Sequence, residues 1–180
     1  IDRILDIVLE VLFFFRRKRK GKKMKGQAID LIVIHCSATR ADRDFTEDDL
    51  DVCHRRRGFN GVGYHFYIRK NGDIKTTRAV EKVGAHAKGH NAYSIGICYE
   101  GGLDCHGRPA DTRTEWQVHS MHVLILTLLR DYPGCRICGH RDLSPDLNGN
   151  GEIEPEEWVK ACPCFEVKDE YSESNVISKK

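Results

Sequence analysis

The chain has 180 residues, of which 40% are hydrophobic and 31% charged, with a formal net charge of +2. This length suits one domain with a real core rather than two, and the composition is that of a globular chain rather than a disordered one. Residues 1–25 hold nine Lys or Arg against three Asp or Glu, which leaves 20 basic and 24 acidic residues of the chain's 29 and 27 for the body; a mildly acidic body excludes the basic footprint of a nucleic-acid binder.

Residues 1–25, "IDRILDIVLEVLFFFRRKRKGKKMK", read as a leader separate from the folded body. Asp2, Asp6 and Glu10 would line one helix face, and Ile1, Leu5, Val8 and Leu12 another. The apolar run is short and acidic for a membrane span. Its basic cluster follows the apolar stretch, the reverse of a secretory signal. An amphipathic helix lying on a membrane surface, anchored by the basic cluster, is the peripheral contact such a pattern permits.

In the body, "IDLIVIH" (29–35) is a run of branched apolar residues and predicts a buried central strand ending at His35. "FTEDDLDVCHRRRG" predicts a helix, with Thr46 as N-cap, acids in the first turn and Gly58 as its stop. "GYHFYIRKNGDIKTT" predicts a hairpin turning at Asn71-Gly72, and "YSIGICYE" (93–100) another strand. "TRTEWQVHSMHVLILTLLRDYP" predicts a long helix with Thr112 and Glu115 spaced as a capping box and Pro133 beyond its end. "GCRICGH" (134–140) predicts a short strand arriving at His140, and residues 169–180 a polar tail. Strands and helices alternate, so the expected class is α/β: a single domain with a mixed central sheet flanked by helices.

The eight cysteines lie largely in strand-like runs, which favours buried free thiols over a disulfide scaffold. Cys135 and Cys138 have the spacing of a metal or redox pair, but on a strand they face opposite ways. Among nine histidines, His35 and His140 both end predicted strands, where sites gather in open α/β sheets. With Cys162 in "KACP" they would form two imidazoles and a thiolate, an open zinc site with a place for water. On spacing alone, ligands this far apart in the chain favour structural histidines over a metal site. His65, adjacent to Tyr64 on a strand, points to the opposite face and reads as structural. His54, His106, His119 and His122 have no evident partner.

The blocks "IVIHCSAT", "GVGYHFYIRKNGDI", "VGAHAKGHNAYSIGICYEGG", "GHRD" and "KACPCF" stand in order over residues 29–167. In them the chain resembles the zinc-dependent N-acetylmuramoyl-L-alanine amidases of the bacteriophage-lysozyme and peptidoglycan-recognition-protein family. The resemblance implies zinc on His35, His140 and Cys162, a catalytic tyrosine at Tyr64 and a catalytic lysine at Lys160. It implies a substrate groove lined by His86 and Asn91, with His90 less firmly placed. The implied domain spans 26–168 and hydrolyses the amide between the muramic-acid lactyl group and L-alanine. Action on the cell wall, in the periplasm or outside the cell, follows from that substrate, and a monomer is expected. The chemistry suits the residues: an oxyanion needs a donor such as the Lys160 ammonium, and the Tyr64 hydroxyl can position water or carbonyl.

"DLNGNGEIEPEE" (146–157) matches the grammar of an EF-hand calcium loop. Asp146, Asn148 and Asn150 fill the first side-chain positions, Gly151 the turn, Glu152 the carbonyl position, Glu154 the next and Glu157 the bidentate end. Pro145 argues against an entering helix, so the loop reads as an insertion between a candidate zinc histidine and Lys160. An ion there would take up slack in the segment carrying Lys160 and Cys162. Two other readings stay open: a peptidoglycan-binding protein without activity, and a Cys–His hydrolase using Cys162 or Cys164 as nucleophile.

Overall fold

The computed structural model describes residue 9 and residues 28–172. The leader expected over 1–25 and the end of the expected tail thus lie almost wholly outside the described residues.

Among residues 28–172, seven strands and three α-helices follow in chain order: β1 (Leu31–Cys36), β2 (Thr39–Arg40), α1 (Glu47–Arg56), β3 (Phe66–Ile68), β4 (Ile74–Thr76), β5 (Ser94–Tyr99), β6 (Gly102–Leu103), α2 (Glu115–Asp131), β7 (Arg136–Gly139) and α3 (Val167–Glu170). The main sheet has the order β4-β3-β5-β1-β7. Only β3 and β4 pair antiparallel; β3-β5, β5-β1 and β1-β7 are parallel. This is the expected mixed sheet. All six residues of β1 and of β5 are buried, as parallel strands covered on both faces require.

The pleat divides the interior. Ile32, Ile34, Ile95, Ile97, Tyr99, Phe66 and Ile68 meet Met121, Leu124, Ile125 and Leu128 of α2. On the other face Tyr67 and Cys98 meet Leu50 of α1 and Val62, with Phe45 and Tyr64 at the margin. His35 is in register with Cys98, so it belongs to this second, thinner layer.

Thr46 caps α1 through a reciprocal box with Asp49. The cap of α2 lies two residues later than its sequence spacing predicts. Thr114 and Gln117 form the box, because the Thr112 hydroxyl is taken by the Gly102 N–H at 2.7 Å. The core also runs past the boundary expected at 168. Tyr171 is buried, and Glu170 makes a two-pronged pair with Arg113 at 2.9 and 3.0 Å. Arg113 in turn lies over Phe165. The small parallel pair β2-β6 carried no pattern of its own, being two residues per strand.

Candidate metal centre and active-site cleft

His35 is the penultimate residue of β1, and Ile34 stands in register with Gly139 at the end of β7. The next residue in the chain is a histidine in each case, and the rings of His35 and His140 come to 4.6 Å between centroids. The ligand loop is pinned to these strand ends from two sides. The Arg141 N–H donates to the Cys162 carbonyl at 2.8 Å, and the Cys36 N–H donates to the Cys162 sulfur at 3.2 Å. Cys162 Sγ then lies 3.9 Å from His35 Nδ1. One ligand atom from each of His35, His140 and Cys162 falls within 4.8 Å of the others. Among the described residues this is the one convergent group of three or more His, Cys, Asp or Glu side chains.

The electrostatics favour neutral imidazoles. His35 is fully buried, and burial, then His86, His140 and Lys160, hold its pKa well below the usual range. Burial, then the Lys160 ammonium, brings His140 down to about 4. Burial brings His86 down to about 3, with His65 and His140 adding to the effect. Neutral imidazole nitrogens and a cysteine sulfur, which binds as the thiolate, are the donor set a borderline-soft divalent ion takes, so the site fits zinc on chemistry as well as proximity.

A cleft of about 400 Å³ opens over this group, with Tyr64, His86, Asn91, His140, Lys160 and Cys162 among its lining residues. The Tyr64 ring sits 4.9 Å from that of His35. Burial and the thiols of Cys98, Cys162 and Cys36 push its pKa well up, so the phenol keeps its proton. His86 and Asn91 do line the cleft, yet their polar atoms point inward. His86 Nδ1 meets His35 Nε2 at 3.0 Å, and Asn91 Oδ1 accepts from the His86 and Ala87 N–H groups at 2.8 and 2.9 Å. His65 accepts from the Gly96 N–H at 2.9 Å and contacts the Lys82 carbonyl at 3.0 Å on the side away from Tyr64. His90 bonds Tyr93 at 2.7 Å.

Sequence reasoning left His54 without a partner. Its ring lies 5.4 Å from that of Tyr64, and its Nδ1 accepts from the Gly63 N–H at 3.0 Å. Arg57, Phe59 and Lys88 also line the cleft. Their only sequence signal was proximity to α1 and to the "GAHAKGHN" loop.

The insertion between His140 and Lys160 is self-contained. Asp146 accepts from the Gly149 and Gly151 N–H groups, Asn148 from that of Asn150, and Asn150 from that of Glu152. Glu157, buried, reaches back to the N–H groups of Leu147, Asn148 and Glu154. The exit is a short 3-10 turn, Pro155–Glu157, rather than an α-helix. The neck carries two protein contacts: the Val159 N–H donates to Ser144 Oγ at 3.1 Å, and Arg141 lies 4.0 Å over the Trp158 ring. These tie the two ends of the insertion together beside the segment that carries Lys160 and Cys162.

Residues 25–163 match the family described as N-acetylmuramoyl-L-alanine amidase. The endolysin of Klebsiella phage KP32 is 32% identical over 154 residues, covering 86% of this chain and 93% of that one. The endolysin of Escherichia phage T7 is 32% identical over 152 residues, covering 84% and 91%. Among solved structures, the N-acetylmuramoyl-L-alanine amidase LysC from Clostridium intestinale superposes with a TM-score of 0.60 at 28% identity, covering 84% of each chain. Drosophila PGRP-LB shares the fold, with a TM-score of 0.60 at 21% identity over 89% of this chain and 92% of that one. With the strand-end histidines, the cysteine loop and the cleft arranged as they are, these similarities place the chain in the N-acetylmuramoyl-L-alanine amidase family of peptidoglycan hydrolases.

Proposed function

We propose that the chain cleaves the amide between the muramic-acid lactyl group and L-alanine with the help of zinc held by His35, His140 and Cys162. The observation that carries this is the convergence of those three ligand atoms within 4.8 Å at the base of a cleft that Tyr64 and Lys160 also line. Zinc, when bound, supplies a Lewis acid and lowers the pKa of water to about 7. The protein's own residues do the rest. Lys160 offers an ammonium to the negative charge that develops on the carbonyl oxygen. Tyr64, kept protonated by its surroundings, donates a hydrogen bond to the reacting groups and helps move the proton to the leaving amine. His35, fully buried in the sheet, turns its Nδ1 toward Cys162.

The site's composition disfavours the other readings. A binding protein without activity has no need of the cysteine donor, which is present and aimed inward. A Cys–His hydrolase would leave Cys162 paired with one imidazole, whereas two converge on it. Cys164 turns away, its sulfur 3.3 Å from the Gly102 carbonyl oxygen and 3.9 Å from the Cys36 sulfur.

Elemental analysis of the purified protein tests the metal assignment, with about one zinc per chain expected. Cys162→Ala should remove both the zinc and the release of L-alanine peptides from muropeptides; full hydrolysis by zinc-free Cys162→Ala protein overturns the proposal.

The insertion supports a second, separate proposal, one calcium ion on Asp146, Asn148, Asn150, the Glu152 carbonyl, Glu154 and Glu157. Its support is the complete loop grammar together with side-chain oxygens already turned into the loop. Without an entering helix the affinity should be modest, about 10⁻⁴–10⁻³ M. Calorimetric titration should show this for wild type and lose it for Glu157→Gln. No heat from wild type at millimolar calcium removes the assignment.

A further inference from the structure

We infer that His86 is a positioning residue that sets the tautomer of the ligand His35, by accepting a hydrogen bond from the His35 Nε2–H on the side away from the metal. The inference rests on the zinc reading above and concerns a different residue and a different measurement.

His35 Nδ1 faces Cys162, and its Nε2 faces His86 Nδ1 at 3.0 Å. A neutral imidazole carries one proton, so a ring that offers its Nδ1 lone pair to a metal carries that proton on Nε2. His35 is 0% exposed, and a buried N–H needs an acceptor. His86 Nδ1 is that acceptor, which requires the His86 proton to lie on Nε2, where Ser94 Oγ stands at 3.4 Å. The relay of protonated nitrogens therefore runs His35 to His86 to Ser94, and each step follows from the one before.

The protein builds a slot for this ring. A Cβ on Gly84 would fall 2.5 Å from His86 Cδ2, and one on Gly96 would fall 2.7 Å from the same carbon and from Cγ. The ring thus lies flush against backbone on two sides, room that only glycine leaves. His65 packs edge-on at 5.7 Å between centroids and is itself held to Gly96. Asn91 fixes the backbone at His86 and Ala87 through two N–H groups. A histidine gripped in this way is placed to hold a neighbour, and the neighbour within hydrogen-bond reach of its Nδ1 is His35. Metal-ligating histidines are commonly oriented by a carboxylate or carbonyl on their far nitrogen, and loss of that partner weakens metal binding about 10- to 100-fold. Here a neutral imidazole fills the role.

Zinc affinity, measured by competition with a chromophoric chelator on the full chain, tests it. His86→Leu should weaken zinc about 10- to 100-fold. His86→Asn, whose Oδ1 can stand where Nδ1 stood, should recover most of that loss and restore the visible spectrum of the cobalt-substituted protein. Urea unfolding of the metal-free proteins checks folding separately from metal affinity. Wild-type zinc affinity in a folded His86→Leu, or a folded His86→Asn as weak as His86→Leu, overturns the positioning role. Absence of zinc binding in the wild type itself would instead remove the metal reading on which it rests.

Discussion

Gly96→Ala probes how tightly the sheet grips the site. Gly96 lies in β5, in register with Val33 of β1, and its backbone is ordinary extended chain, so alanine is locally tolerated. The added methyl would stand 2.7 Å from His86 Cγ and Cδ2 and 2.8 Å from Nδ1. Carbon atoms rest at about 3.5–4.0 Å, so the ring must retreat by roughly 1 Å. It has nowhere to go, with Gly84 on one flank, His65 on another and His35 Nε2 at 3.0 Å. Overpacking of this kind costs about 1–3 kcal/mol, less the roughly 0.5–1 kcal/mol that alanine recovers in chain entropy. A net loss of about 1–2 kcal/mol is expected, a fall in Tm of roughly 3–8 °C for a domain of this size. Urea unfolding of the metal-free protein measures it. The decisive comparison is the cycle with His86→Ala, which removes the obstacle: in that background Gly96→Ala should cost little, with a coupling of at least about 1 kcal/mol. If Gly96→Ala costs the same whether or not the His86 ring is present, the ring is not what the glycine accommodates.

Lys160→Ala should lower kcat by on the order of a hundredfold while zinc stays bound, as loss of an oxyanion donor does; unchanged kcat in zinc-loaded Lys160→Ala would make the lysine a bystander. Metal-free protein should lose stability in mild acid. His65 is fully buried, and burial lowers its pKa from 6.5 to about 4, so between those values the unfolded chain binds the proton and the native one does not. Its contribution, roughly 3 kcal/mol from that difference, is present above pH 6.5 and is lost as pH falls toward 4. His140, held at about 4 by burial and Lys160, acts with the same sign. Unfolding free energies that stay flat from pH 7 to 4.5 would show that these rings are not held neutral.

Much of this site was legible before any coordinates because its signals are local. The apolar run of β1 announced a covered strand whatever it paired with, and the position of His35 at its end followed from chain order. The same was true of His140 after β7 and of the Thr46 cap. The ordered sequence blocks then pointed to the family, and the Tyr64 and Lys160 they single out both line the cleft. What pattern could not supply was anything set by the neighbour in space. Alternation has a period of two and says which residues share a face, but it is silent on which strand lies alongside. The register of Ile34 with Gly139 is what makes partners of two histidines far apart in the chain. The same limit explains the misplaced α2 cap, since Thr112 met every local requirement and was lost to the Gly102 N–H. It explains the closed neck of the insertion, which depends on Ser144 meeting Val159. It also explains His86, which reads in the sequence as a residue of the substrate groove and in the fold as the hydrogen-bond partner of His35. A residue's type and local spacing are carried by the chain itself, whereas the acceptor for a buried N–H exists only once separate segments have packed together.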